Sequence, residues 1–133
     1  MFSYDPFSIH VLFILGAQTL SQMEQCIVFP VLPGKEQELI EFASVLTHDR
    51  RAEFDASQQT VTKESWYLQR TSQGTVCIVH VLANDPMAVF QGLAHSQDPF
   101  DVWFRERVMA TTGVDLRNPP SELPLCIFDW KRT

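Results

Sequence analysis

The apolar residues of this chain change their period several times, and each change marks an element. "CIVFPV" (26–31) is a short run of β-branched and aromatic residues that predicts a strand. Pro30 near its end points to an edge or a strand terminus, because proline cannot donate to a ladder. From 32 to 59 the spacing turns helical. Leu39, Phe42, Ala43, Leu46 and then Phe54 share one face, with Glu, Lys and Arg on the other. Pro33-Gly34 marks the turn in, and Glu36 and Glu38 suit the positive end of the helix dipole. "TVTKESWYLQR" (60–70) returns to period two, "TSQG" (71–74) reads as a turn, and "TVCIVHVLA" (75–83) is a nearly continuous β-branched run. Together they predict a hairpin whose second strand is central. "NDPMAVFQGLAH" (84–95) opens with cap residues and Pro86, then spaces Val89, Phe90 and Leu93 helically. A further helix is predicted from Asp98 to about Thr112, ended by Gly113. "VDLRNPPSELP" (114–124) is a proline-marked loop, and "LCIFDW" (125–130) predicts a last strand.

The order β-α-β-β-α-β predicts an α+β, ferredoxin-like fold: a four-stranded antiparallel sheet with helices on one face. The hairpin is apolar on both sides. Trp66 and Leu68 point one way, and Ser65 and Tyr67 the other; Cys77, Val79 and Val81 oppose Val76, Ile78 and Leu82. An apolar face without helices needs a cover, and a homodimer packed sheet to sheet supplies one.

Length and composition fit one ordinary domain. The chain has 133 residues, of which 45% are hydrophobic and 20% charged, enough to bury a core. The formal net charge of −6 argues against nucleic acid, which needs a basic footprint, and against anionic membrane surfaces. Cys26, Cys77 and Cys126 form no CxxC motif, and each falls in an expected strand. They read as buried reduced thiols, which suits a cytoplasmic location. The apolar run "SIHVLFILGA" (8–17) is too short to span a membrane and has no preceding positive charge. Residues 1–22 are expected to be a peripheral N-terminal extension, with Met23 an alternative start directly before the first strand, and residues 23–133 to form a single domain.

Several of these segments resemble a known family. "PGKEQELIEFASVLTHDRRAEFDAS", "ESWYLQR" and "HSQDPFDVWF" look like an uncharacterised domain family of dimeric α/β-barrel, ferredoxin-like type, over residues 25–130. The motifs that carry the resemblance are Glu64 opening the ES-aromatic strand, and His95 followed by Pro-Phe-Asp at 99–101. The family motif often continues to a histidine after the aspartate; here Phe104 or Arg105 takes that place. The resemblance implies fold and dimerisation, not chemistry. Similar barrels include cofactor-free monooxygenases, haem-degrading enzymes and lactone isomerases, and their activities extend here by analogy only.

The candidate site collects residues from these motifs. His80 and His95 are natural proton-transfer groups near neutral pH. The turn at 71–74 places Glu64 opposite residue 80 or 81, so that Glu64 and His80 share a face in one of these registers and the carboxylate orients the ring. Trp66 and Trp103 are expected as apolar walls of a ligand pocket, and Asp101 and Arg105 as its polar contacts. Each has a structural alternative. Asp98 suits the N-cap, Pro99 N1 and Asp101 N3, an arrangement like a capping box. Asp101 and Arg105 are spaced for a helical ion pair, and Phe100, Trp103, Phe104 and Val108 for a buried face. His10, His48, His80 and His95 are scattered, so no metal is expected. No GxGxxG, P-loop or GxSxG motif is present, and no cofactor is expected. The resulting expectation is a homodimer that binds a small, mostly apolar molecule, with histidine proton-transfer chemistry. The alternative is a non-catalytic binding or assembly module.

Overall fold

The computed structural model describes residues 22–133. The elements run β1 (Met23–Pro30), α1 (Glu36–Thr47), α2 (Arg51–Ser57), β2 (Val61–Thr71), β3 (Gly74–Ala83), α3 (Pro86–His95) and α4 (Pro99–Thr112). The expected extension over 1–22 lies, apart from Gln22, outside the described residues.

The sheet is three-stranded and antiparallel, in the order β1-β3-β2. This corrects the expected four-stranded βαββαβ arrangement. Residues 125–130 join no ladder, and their apolar side chains stand in solvent. The β-branched and aromatic residues there carry strand propensity, but propensity yields a strand only against a partner. A hydrogen bond of 3.0 Å from Gln25 Nε2 to the carbonyl of Pro124 holds the base of the segment beside β1. The expected helical stretch 32–59 is also two helices rather than one, broken at residues 48–50.

The β3 run is central, as its composition requires. Cys77, Val79, Val81 and Ala83 alternate onto one side and are buried; Val76, Ile78, His80 and Leu82 alternate onto the other and are half-buried. The buried side meets Leu39, Phe42 and Leu46 of α1 and Phe100, Phe104 and Val108 of α4. Phe42 is the hub: its ring centroid lies 5.5 Å from Trp66, 5.5 Å from Trp103 and 5.4 Å from Phe104. These tilted and edge-on contacts are the favourable aromatic geometries. Among the described residues the other side of the sheet carries no helix, and Val28 and Tyr67 are exposed there.

Both ends of α4 follow the local chemistry. Asp98 Oδ1 accepts the Phe100 N–H at 2.9 Å, and Pro99 fills the first helical position, where no N–H is needed. Gly113 closes the helix at φ 77°, a conformation that side chains with a Cβ rarely adopt. Of the thiols expected to be buried, only Cys77 is; Cys26 lies on the helix-free side of β1 and Cys126 in the unpaired segment, both exposed. Phe42→Ala is expected to cost about 3–5 kcal/mol, because three rings lose their common neighbour. Urea denaturation measures it, and a loss below about 1 kcal/mol would show that the cluster does not organise the core.

Candidate functional site

The sheet and the helices enclose an apolar cavity of about 60 Å³, walled by Phe42, Trp66, Val79, Leu93, Phe104 and Val108. Four kinds of polar side chain reach it, and two are already satisfied or inert. The hydroxyls of Thr111 and Thr112 donate back to the carbonyls of Arg107 and Val108, at 2.8 and 2.7 Å. Burial, with the charge of Glu64, pushes the Cys77 thiol up to about 11 and leaves it protonated.

Glu64 and Gln58 remain. Glu64 and Trp66 are two apart on β2, so both side chains fall on the helix side. The indole Nε1 donates to Glu64 Oε2 at 2.7 Å. Burial pushes the carboxyl above the ordinary carboxylate range, and the indole hydrogen bond offsets this only in part. Gln58 follows α2, where its backbone N–H closes the helix onto the carbonyl of Phe54 at 3.0 Å. Its Oε1 is buried without a hydrogen-bond partner among the described residues. An unsatisfied buried acceptor costs about 1–3 kcal/mol, so the atom is poised to accept a donor. Outside the cavity lies a groove of about 510 Å³ that includes Arg51, Phe54, Asp55 and Lys63 and is also lined by Gln58 and Glu64. These two residues therefore form the wall between the apolar interior and the surface.

The other expected site residues lie elsewhere. The register sets Glu64 opposite Val81 and Ser65 opposite His80. Glu64 and His80 thus occupy opposite sides of the sheet and do not pair. His80 Nε2 is instead 3.6 Å from Glu24 Oε2 on the helix-free side. His95 is the exposed last residue of α3. Trp103 does not line the cavity; it lies edge-on to Phe42, with the Arg50 guanidinium 4.2 Å from its ring centroid.

Asp101 and Arg105 tie helices together and form no ion pair with each other. Asp101 Oδ1 accepts from Ser57 Oγ at 2.5 Å and Oδ2 from Ser96 Oγ at 2.6 Å, so one carboxylate joins the ends of α2 and α3 to the start of α4. It does not reach back to the Asp98 N–H, which donates to Ser96 Oγ, and the capping box is therefore incomplete. Arg105 is buried, and its Nη1 donates to the carbonyls of Leu93 and Ser96 at 2.8 and 2.7 Å. A cation at the C-terminus of α3 satisfies free carbonyls and suits the helix dipole.

Sequence reasoning passed over Gln58. Its one signal is position: it stands four residues after Phe54 and so extends that apolar face with an amide. Among the described residues no group of three or more His, Cys, Asp or Glu side chains is placed to hold a metal ion. No helix among them is long and apolar enough to cross a membrane. Comparison of the chain with protein-family models, with curated proteins and with solved structures returned no match.

Two outcomes are expected of these assignments. A carboxyl whose folded pKa is raised adds stability below its unfolded value and loses it as pH rises through the folded value. Glu64→Gln keeps the acceptor for Trp66 and removes the charge, so its stability relative to the parent should rise from pH 5 to pH 8. Urea midpoints that shift in parallel would mean that Glu64 is not buried in solution. Arg105→Met should cost about 2–4 kcal/mol, since it leaves two carbonyls unpaired. The same denaturation reads it, and a change within about 0.5 kcal/mol would remove Arg105 as the clamp.

Proposed function

We propose that this chain is a cytoplasmic, homodimeric small-molecule-binding domain. Its internal cavity takes a small, mostly apolar molecule that carries one hydrogen-bond donor. The observation that carries this reading is that Gln58, whose Oε1 is buried and unpartnered among the described residues, and Glu64 both line an otherwise apolar cavity. Ligand pockets commonly have this composition: apolar walls with a few convergent polar groups. At about 60 Å³ the cavity has room for roughly five water-sized groups, so a five-membered ring is a suitable first probe. The groove that shares Gln58 and Glu64 supports an approach from the α2–β2 side.

Among the groups expected to move protons, only Glu64 stands at the cavity. Proton exchange with a bound molecule therefore falls to this carboxyl and not to His80 or His95. The three unpaired cysteines support a reducing compartment. The apolar, helix-free side of the sheet supports a homodimer, and it equally supports the second reading, a module for assembly without catalysis.

Pyrrole and furan have the same ring size, but only pyrrole carries an N–H donor. Isothermal titration calorimetry should show pyrrole binding about tenfold more tightly, a ratio worth ~1.4 kcal/mol or about one hydrogen bond. Gln58→Leu should abolish the preference and leave furan binding unchanged. Equal affinities in the parent, or binding of neither ring, would overturn the reading.

A further inference from the structure

The C-terminal segment 125–130 leaves the domain as an apolar arm. Leu125, Ile127, Phe128 and Trp130 are 84%, 89%, 83% and 62% exposed. With aromatic side chains at ~150–250 Å² each and Leu and Ile somewhat smaller, the arm holds on the order of 600 Å² in water. Apolar surface of that extent in one short segment calls for a cover.

The same molecule carries a second unmet demand. β1 pairs with β3 along one edge only, and among the described residues nothing pairs with its outer edge. A free edge presents N–H and C=O groups spaced for another strand. The two features match in pattern. In extended form the arm sends Leu125 and Ile127 to one side and Cys126, Phe128 and Trp130 to the other. β1 likewise has Ile27 and Phe29 on the helix side and Cys26 and Val28 on the free side.

We propose that the arm of one copy pairs with the outer edge of β1 in a second copy, and that the exchange is reciprocal. This rests on the homodimer reading above and names the surface that forms it. One observation selects a second copy over the chain's own edge, and two more agree with it. Gln25 holds Pro124 at the base of the arm, and from there the segment stands in solvent and does not fold back along its own β1. Two arms, counted with the surface each one covers, bury roughly 2,000 Å², the size of a stable interface. Charge agrees as well: antiparallel pairing brings Lys131 and Arg132, just beyond the arm, toward the exposed Glu24 at the start of β1. Reciprocal exchange about a two-fold axis closes the assembly and leaves no free arm.

The test begins with the mass of the full chain by light scattering. A dimer is expected, and a chain ending at Pro124 should be a monomer with unchanged circular dichroism. Ile127→Asp with Phe128→Asp in the full chain should weaken association at least 100-fold and keeps the test open if the shortened chain does not fold. Chains labelled with heavy nitrogen and unlabelled chains, refolded together and treated with a flexible bis-maleimide, should give Cys26–Cys126 links between a heavy and a light chain. A monomeric full chain would overturn both the dimer and the arm. A dimer that survives loss of the arm would overturn the arm alone and leave the sheet-face dimer standing. Links confined to one chain, or no link between these cysteines, would also overturn the exchange.

Discussion

Burial of one side of β3 governs most of this structure. Cys77, Val79, Val81 and Ala83 fall on a single side because a strand alternates, and all four are buried. Each large apolar side chain removed from water there contributes about 1.5–3 kcal/mol. Both neighbouring strands must then present their own apolar alternates to that side. Ile27 and Phe29 do so from β1, and Trp66 and Leu68 from β2. The helices answer with Leu39, Phe42, Leu46, Phe100, Phe104 and Val108. The cavity lies in this contact layer, where the bulky rings of Phe42, Trp66 and Phe104 meet at angles and do not fill the space beneath α3.

Glu64 sits in conflict with that layer, and the conflict makes the site. Its position on β2 forces the side chain toward the helices, among groups that solvate charge poorly. The Trp66 indole satisfies one oxygen, and burial favours the protonated form. The Glu64 carboxyl is a titratable group whose charged form burial disfavours, whereas the Gln58 amide carries no charge and its Oε1 can only accept. A bound molecule thus meets two polar groups of different character in otherwise apolar surroundings. The helix junction keeps them in place. Asp101 holds the end of α2, one residue before Gln58, and Arg105 fixes the turn from α3 into α4.

Much of this was readable in the chain where local chemistry decides the outcome. Asp98, Pro99 and Gly113 mark the limits of α4 because capping is a matter of a few neighbouring residues. The alternation in "ESWYLQR" likewise places Glu64 and Trp66 on one side. What failed depended on distances that sequence does not carry. The hairpin turn left a register uncertain by one residue, and one residue is enough to send His80 to the opposite side from Glu64. Asp101 and Arg105 have the spacing of an ion pair, yet each found better partners on other helices: hydroxyls for the acid and carbonyls for the base. Gln58 carried almost no signal, since an amide at a helix end is ordinary until its surroundings prove apolar.

The segment 125–130 shows the same limit from another side. Its composition is that of a strand, but the expected strand does not form: residues 125–130 join no ladder. A strand is a relation between two segments, so propensity states a need and leaves its fulfilment open. β1 states the complementary need, with one edge unpaired among the described residues. Neither need is met within the described part of a single chain, and the proposed reciprocal pairing would meet both at once. Reciprocal pairing would also bring Phe128 and Trp130 beside the free-side residues Cys26 and Val28. It would thereby extend the apolar, helix-free surface around Ile78 and His80 that invites a second sheet. An arm that lengthens the apolar face of its partner makes contact between the two faces more favourable.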